Sequence, residues 1–304
     1  MKVGLRVCVN TLHGALVGVP ALLKLFDEYK IRASFFFATG ADKSGRRIGH
    51  TLQPWYPTLN IASRLYGIIL QPPLIHQRAA ETLRSVAAAG HETGILCHDR
   101  SVWLDTIAHA DETWTREELN RAIEAYSAVF GEKPKYMAAA GWQINPHLLA
   151  LQQGNSFSYA SDVRGKSIFY PRLQDVESNC PQVPTTLPTL SELLDQGGDI
   201  TIDNVHQYLY AESQHILPQG HVYSCDAEME GMVHLPLMEK LIVMWKGMPG
   251  GIQTLGQLME DVDLLRIPRH QVGWAQEQTG NVYYATQSVE LEVSAGRLAD
   301  FRQV

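Results

Sequence analysis

Along the chain, short apolar runs alternate with stretches in which apolar residues recur every three or four positions. The first kind has the composition of buried strands: "KVGLRVCVN", "ASFFFAT", "HETGILCH", "YMAAAG", "FSYASDV", "QVPTT", "HVYSCDAE" and a weaker "GIQTL". The second kind predicts helices: "GVPALLKLFDEYK", "IHQRAAETLRSVAAAG" closing on Gly90, "TREELNRAIEAYSAVFG", "NPHLLALQQ", "IDNVHQYLYAES" and "PLMEKLIVMWK". Thr115 and Glu118 have the spacing of a capping box and would start the third of these. Strand and helix alternating on this scale predict an α/β fold around a parallel sheet, open or closed into a barrel. In such folds chemistry gathers where the strands end, because the loops vary while the sheet holds them in place.

Composition narrows the function classes. The 304 residues are 45% hydrophobic and 19% charged, enough for one large core. A net charge of −7, with Lys and Arg scattered, argues against nucleic acid as a partner. The opening "MKVGLRVCVN" enters a strand without a signal-peptide pattern, so a cytoplasmic location is expected. Cys8, Cys97, Cys180 and Cys225 show no CxxC pairing and are expected as free, packed thiols.

The strand ends collect Cys8 and Asn10, Thr39 to Asp42, Leu96 to Arg100, Gly141 to Asn145, Asp162 to Gly165, and Cys225 to Glu230. Seven stretches, "VGLRVCVNT", "GVPALLKLFDEYKIRASFFFATG", "GHETGILCHD", "AAAGWQIN", "SDVRG", "PTTLPT" and "AEMEG", resemble in order the polysaccharide deacetylase (NodB-homology) family over roughly residues 2–260. Within it they are most similar to the deformylases of 4-deoxy-4-formamido-L-arabinose linked to phosphoundecaprenol, a step of lipid A modification. The resemblance implies an irregular seven-stranded (β/α) barrel over 1–265, followed by a C-terminal extension over 266–304. It also implies a divalent metal such as zinc, and a lipid-linked amino sugar as partner.

The resemblance equally exposes departures. Family members carry Asp-x-Asp where this chain has Cys8-Val9-Asn10, the first Asp being the general base and the second a metal ligand. Two further metal ligands, both His, fall on Leu96 and Arg100, and the His that protonates the leaving amine falls on Asp226. Leu96 has no lone pair, Arg100 is a permanent cation, and the neutral Asn10 oxygen is a weak ligand. The expectation is a barrel with no intact catalytic residue and no bound metal, a pseudoenzyme that keeps a glycolipid-shaped cleft. A hydrolase with rearranged ligands and a purely structural or partner-binding protein remain alternatives.

Cys97 and Cys225 lie one residue off the inward-facing positions, which argues against a new soft-metal site with Cys8, His98, Asp99 and Asp226. His98 and Asp99 are expected as a hydrogen-bonded rim pair, and Arg100 and Asp226 as a charge pair across the centre. Gly141, Trp142, Asp162 and Arg164 are the candidate sugar-binding residues, with Asp162 and Arg164 as a polar clamp; scaffold roles are the alternative. The stretch 51–75 is apolar and aromatic but broken by four prolines, too interrupted to span a membrane. It is expected either as a lid or as a peripheral inner-membrane contact through Trp55, Tyr56 and Tyr66.

Overall fold

The computed structural model describes residues 1–46, 55–195, 199–276 and 283–288. Eleven strands are formed among them: β1 (Val3–Val9), β2 (Ser34–Ala38), β3 (Glu92–Cys97), β4 (Tyr136–Met137), β5 (Tyr159–Ala160), β6 (Tyr170–Leu173), β7 (Val176–Glu177), β8 (His221–Asp226), β9 (Ile252–Gln253), β10 (Arg269–Gln276) and β11 (Tyr283–Ser288). The central parallel sheet is ordered β5-β4-β3-β2-β1-β8, with β9 on the lower part of β1. The extended stretch read as "QVPTT" then closes the ring. Val183 N–H donates to Ala160 O (2.8 Å) beside β5, and Thr186 N–H donates to Val222 O (3.1 Å) on β8. The architecture is the irregular (β/α) barrel expected, curled rather than evenly closed, because β4 and β5 are only two residues long.

Strands of this kind are buried on both faces, which is why β1 and β2 are buried at every position. Helices Val19–Glu28, Ala80–Ala88, Glu112–Phe130, Pro146–Gly154 and Leu235–Lys246 form the outer layer. The third of these begins earlier than the capping-box pattern predicts. Asp111 is its N-cap, accepting from Trp114 N–H, while Thr115 and Glu118 are buried within the helix. A stronger acidic cap one turn upstream wins.

The second sheet, ordered β11-β10-β6-β7, was not anticipated. Residues 266–276 and 283–288 of the C-terminal stretch supply β10 and β11, and β10 pairs in parallel with β6, bringing Arg269 opposite Tyr170. The remainder of that stretch, and residues 51–54 of the apolar insert, lie outside the described residues.

Candidate functional site at the mouth of the barrel

Alternation along β1 turns Val7 and Val9 outward to the helices and leaves Arg6, Cys8 and then Asn10 on the lumen side. Asn10 is the hub of a polar cluster at these strand ends. Its Oδ1 accepts from Arg100 Nε (2.8 Å), and its Nδ2 donates to Asp226 Oδ1 (2.8 Å) and to Glu228 Oε2 (3.1 Å). Arg100 opens the helix Arg100–Thr106, capped by Asp99, and its guanidinium lies over the Trp55 ring at 5.1 Å. The expected direct charge pair of Arg100 with Asp226 is therefore corrected: Asn10 stands between them, accepting from Arg100 Nε and donating to Asp226 Oδ1.

Two further carboxyls surround the hub and were not foreseen. Glu228 Oε1 takes the backbone N–H of Asn10 (2.9 Å) and Thr11 (2.8 Å) and the Thr11 hydroxyl (2.9 Å). Gly14 makes room for it, since a Cβ there would lie 2.1 Å from Glu228 Oε1. Glu230 accepts from Tyr223 OH (2.7 Å) and from Asp226 N–H (2.9 Å). Burial first, and the Asp226 charge second, push Glu228 up to about 7 and Glu230 up to about 8. Burial also raises Asp226, with Arg100 the strongest opposing influence. For Cys8, burial outweighs the attraction of Arg6 and sends the thiol up to about 11, so it stays protonated at neutral pH and is no substitute for a carboxylate base.

The donor set does not fit the divalent ion that the resemblance implies. Leu96 is buried hydrocarbon, the Asn10 oxygen already accepts from Arg100, and Arg100 brings positive charge to the place of a ligand. Among the described residues, no three His, Cys, Asp or Glu side chains group as a metal site. Cys97 and Cys225 are buried free thiols. His98 and Asp99 do not pair with each other: His98 Nδ1 lies 3.4 Å from Thr39 Oγ1, while Asp99 caps its helix and pairs with Lys43.

Below the hub, Arg6 is 2% exposed. Its NH1 donates to Cys8 Sγ (2.8 Å) and Ser224 Oγ (2.7 Å), and its NH2 to Ala139 O (3.1 Å). From it an alternating ladder of rings and guanidinium groups runs outward. Arg6 lies over Phe36 (5.9 Å) and Trp142 (5.4 Å), and Arg164 over Trp142 (4.9 Å) and Tyr284 of β11 (5.6 Å). Trp142 is pinned by Nε1–H to Thr185 Oγ1 (3.1 Å), in a turn where Gly141 and Trp142 both take left-handed φ, 62° and 52°. Trp142 is thus placed at the mouth, but two cations cover its ring. The Asp162–Arg164 clamp is not formed. Asp162 accepts from Gln152 (2.7 Å) and Gln182 (2.9 Å) inside the core, and Arg164 pairs with Glu192 and donates to Leu187 O (2.9 Å). A charged residue inside the apolar run "VGLRVCV" was the available signal for Arg6.

In the insert, Trp55 is 3% exposed, so its place is under Arg100 and not on a surface. Tyr56, beneath the Arg64 guanidinium, and Tyr66 are partly buried. Among the described residues of the insert, the exposed large apolar side chains are instead Ile61, Ile68, Ile69 and Leu70. Among the described residues, no helix is long and apolar enough to cross a membrane.

Comparison with known proteins agrees with this architecture. The polysaccharide deacetylase family model matches residues 14–160. Over 260 residues, 81% of this chain and 81% of the relative, the chain is 36% identical to a protein of Shewanella sediminis named as the 4-deoxy-4-formamido-L-arabinose-phosphoundecaprenol deformylase ArnD. A protein of Wigglesworthia glossinidia brevipalpis with the same name is 28% identical over 239 residues, 75% of this chain and 82% of that one. Among solved structures, a polysaccharide deacetylase from Mycobacterium smegmatis superposes with a TM-score of 0.60 at 19% identity, covering 88% of this chain and 91% of its own. BA3943 of Bacillus anthracis, described as a CE4 family pseudoenzyme, superposes with a TM-score of 0.51 at 12% identity, over 89% of this chain and 69% of its own. At such identities the structural likeness is one of fold, and it is the sequence relatives that assign descent: the chain belongs to the polysaccharide deacetylase (NodB-homology) family, alongside the formamido-arabinose deformylases.

Proposed function

We propose that this chain is a non-hydrolytic member of its family, a barrel that retains a cleft for a lipid-linked amino sugar after its metal-hydrolase centre has been replaced. The observation that carries the reading is the hydrogen-bonded chain from Arg100 Nε through Asn10 to Asp226 and Glu228. Amide hydrolysis at neutral pH needs a water acidified by a metal, a base to take its proton and an acid for the departing nitrogen. The first would have to displace a guanidinium, and the second would fall to a protonated thiol. The sugar-lipid class comes from the relatives, whose names specify a phosphoundecaprenol-linked substrate.

A peripheral position at the inner membrane accords with the mouth's surroundings. Ile61 (78% exposed), Ile69 (72%), Ile68 and Leu70 stand on the insert, and Leu16, Val17 and Val233 follow the ends of β1 and β8. The turn Tyr56–Thr58 packs on Met229–Val233, joining these surfaces around one rim. An apolar rim of this kind suits shallow insertion beside a lipid-held ligand.

The test is metal content and formate release with a formamido-arabinose glycolipid. Background turnover and no stoichiometric zinc are expected. Because metal and base act as a unit, one reversion should not suffice, whereas Cys8→Asp, Asn10→Asp, Leu96→His, Arg100→His and Asp226→His together should return measurable turnover. Metal-dependent turnover by the unmodified chain would overturn the reading and restore that of a working hydrolase.

A further inference from the structure

We propose that the segment 289–304 docks on a cleft at the pole of the barrel opposite the mouth, its first residues continuing β11 along β10 and its apolar side chains filling the cleft. Lys2 and Gly220, which immediately precede β1 and β8, mark that pole and line the cleft. It measures about 510 Å³. Its walls include Ile168, Leu217, Leu258, Val262, Ile267 and Pro268, and Lys2 pairs with Asp261 at one edge. Ile216, also on the wall, is 89% exposed. A largely apolar hollow of this size gains stability from whatever apolar segment covers it.

The end of β11 points at this cleft. In its antiparallel ladder with β10, Tyr283 faces Gln276 and Ser288 faces Gln271, so each further residue stands opposite one nearer the start of β10. In that register Val289 faces His270, Glu290 faces Arg269 and Leu291 faces Pro268, a residue of the cleft wall. Because β10 begins at Arg269, two residues past the last described pair, the first two steps have a strand beside them. Parity agrees. Val272, Ala285 and Gln287 share the face that packs on residues 166–169: Gln287 Oε1 accepts from Lys166 N–H at 2.8 Å, and the rings of His270 and Phe169 stack at 5.6 Å. By alternation Val289, Leu291 and Val293 of "VELEV" fall on that covered face, and Glu290 and Glu292 on the other, which is the face of Arg269. Apolar residues on the covered face and a carboxylate opposite a guanidinium are what such a continuation demands. Reach is ample: the segment spans roughly 50 Å if extended, and Pro268 stands opposite its third residue. Since β11 also brings Tyr284 beneath Arg164 at the mouth, anchoring its far end steadies that ladder from the opposite pole.

The first experiment is hydrogen exchange on the unmodified full chain, which needs no variant to fold. Amides of 289–292 should exchange at least about ten-fold more slowly than in a free peptide; free-peptide rates throughout overturn the proposal. The second is oxidation of Pro268→Cys/Leu291→Cys, read on a non-reducing gel, the native Cys8, Cys97, Cys180 and Cys225 being buried. A disulfide within one chain is expected. A cross-linked dimer, in which a second copy supplies the strand, or no cross-link in a folded protein, overturns the docking in cis. The third compares Leu291→Asp/Val293→Asp with Glu290→Ser/Glu292→Ser. The first pair should lower the melting temperature by roughly 3 °C or more and raise the fluorescence of 8-anilinonaphthalene-1-sulfonate several-fold, as should deletion of 289–304. The second pair should change both far less, and equal effects of the two pairs overturn the assigned face.

Discussion

Restoring the family's acidic residue at position 10 alone should weaken the protein. In Asn10→Asp, the Nδ2 that donates to Asp226 Oδ1 at 2.8 Å and Glu228 Oε2 at 3.1 Å becomes an oxygen facing two carboxyls. Two hydrogen bonds to charged acceptors are lost, each about 1.5–3 kcal/mol. The contact with Arg100 Nε becomes charge-assisted and returns part of that, about 1–2 kcal/mol. With the site buried, a net loss of about 2–4 kcal/mol follows, roughly 5–10 °C in melting temperature for a chain of this size. The third carboxyl forces the native state to hold an extra proton, raising the folded pKa of the group above its unfolded value. The deficit is therefore smallest below about pH 4.5 and grows as pH rises through neutrality. Thermal melts of both proteins at pH 5.5 and 8 test this. An unchanged midpoint at pH 8, or a larger deficit at pH 5.5, would refute the hub geometry.

Three other outcomes follow from the same contacts. Glu228 and Glu230 have folded pKa values raised to about 7 and about 8, so their contribution is whole below their unfolded values and lost as pH climbs through that window; urea midpoints should fall between pH 6.5 and 8.5, with Glu230→Gln flattening the slope. The range begins at 6.5 because His91, depressed to about 4 by burial, acts oppositely below that pH. Gly14→Ala should cost about 3 kcal/mol or more in the same assay, since the new methyl would occupy the place of the Glu228 carboxylate, and a neutral result would contradict that close approach. In liposome sedimentation at high salt, Ile68→Ser/Ile69→Ser should reduce pelleting, whereas Trp55→Ser should lower the melting temperature and leave pelleting of the folded protein unchanged; equal pelleting of all three proteins would remove the membrane rim.

The sequence by itself determined the succession of strands and helices along the chain, the inward face of β1, and which residue types stand where the resemblance puts metal ligands. These are local facts: alternation along "VGLRVCVN" is enough to turn Arg6, Cys8 and Asn10 inward, and leucine cannot bind a metal in any setting. Partners across the lumen depend on closure and register, including the irregularity between Phe37 and Ala38 where β2 meets β3, and no local pattern carries that. Hence Asn10 bridging Arg100 to Asp226, Asp162 turning to Gln152 and Gln182, and Trp55 settling beneath a guanidinium were decided by the tertiary structure alone. The second sheet was hidden for a related reason. Tyr170–Leu173 contains a proline and is only four residues long, and it becomes a strand because Arg269–Gln276, far along the chain, folds back beside it and supplies the hydrogen bonds its own sequence cannot.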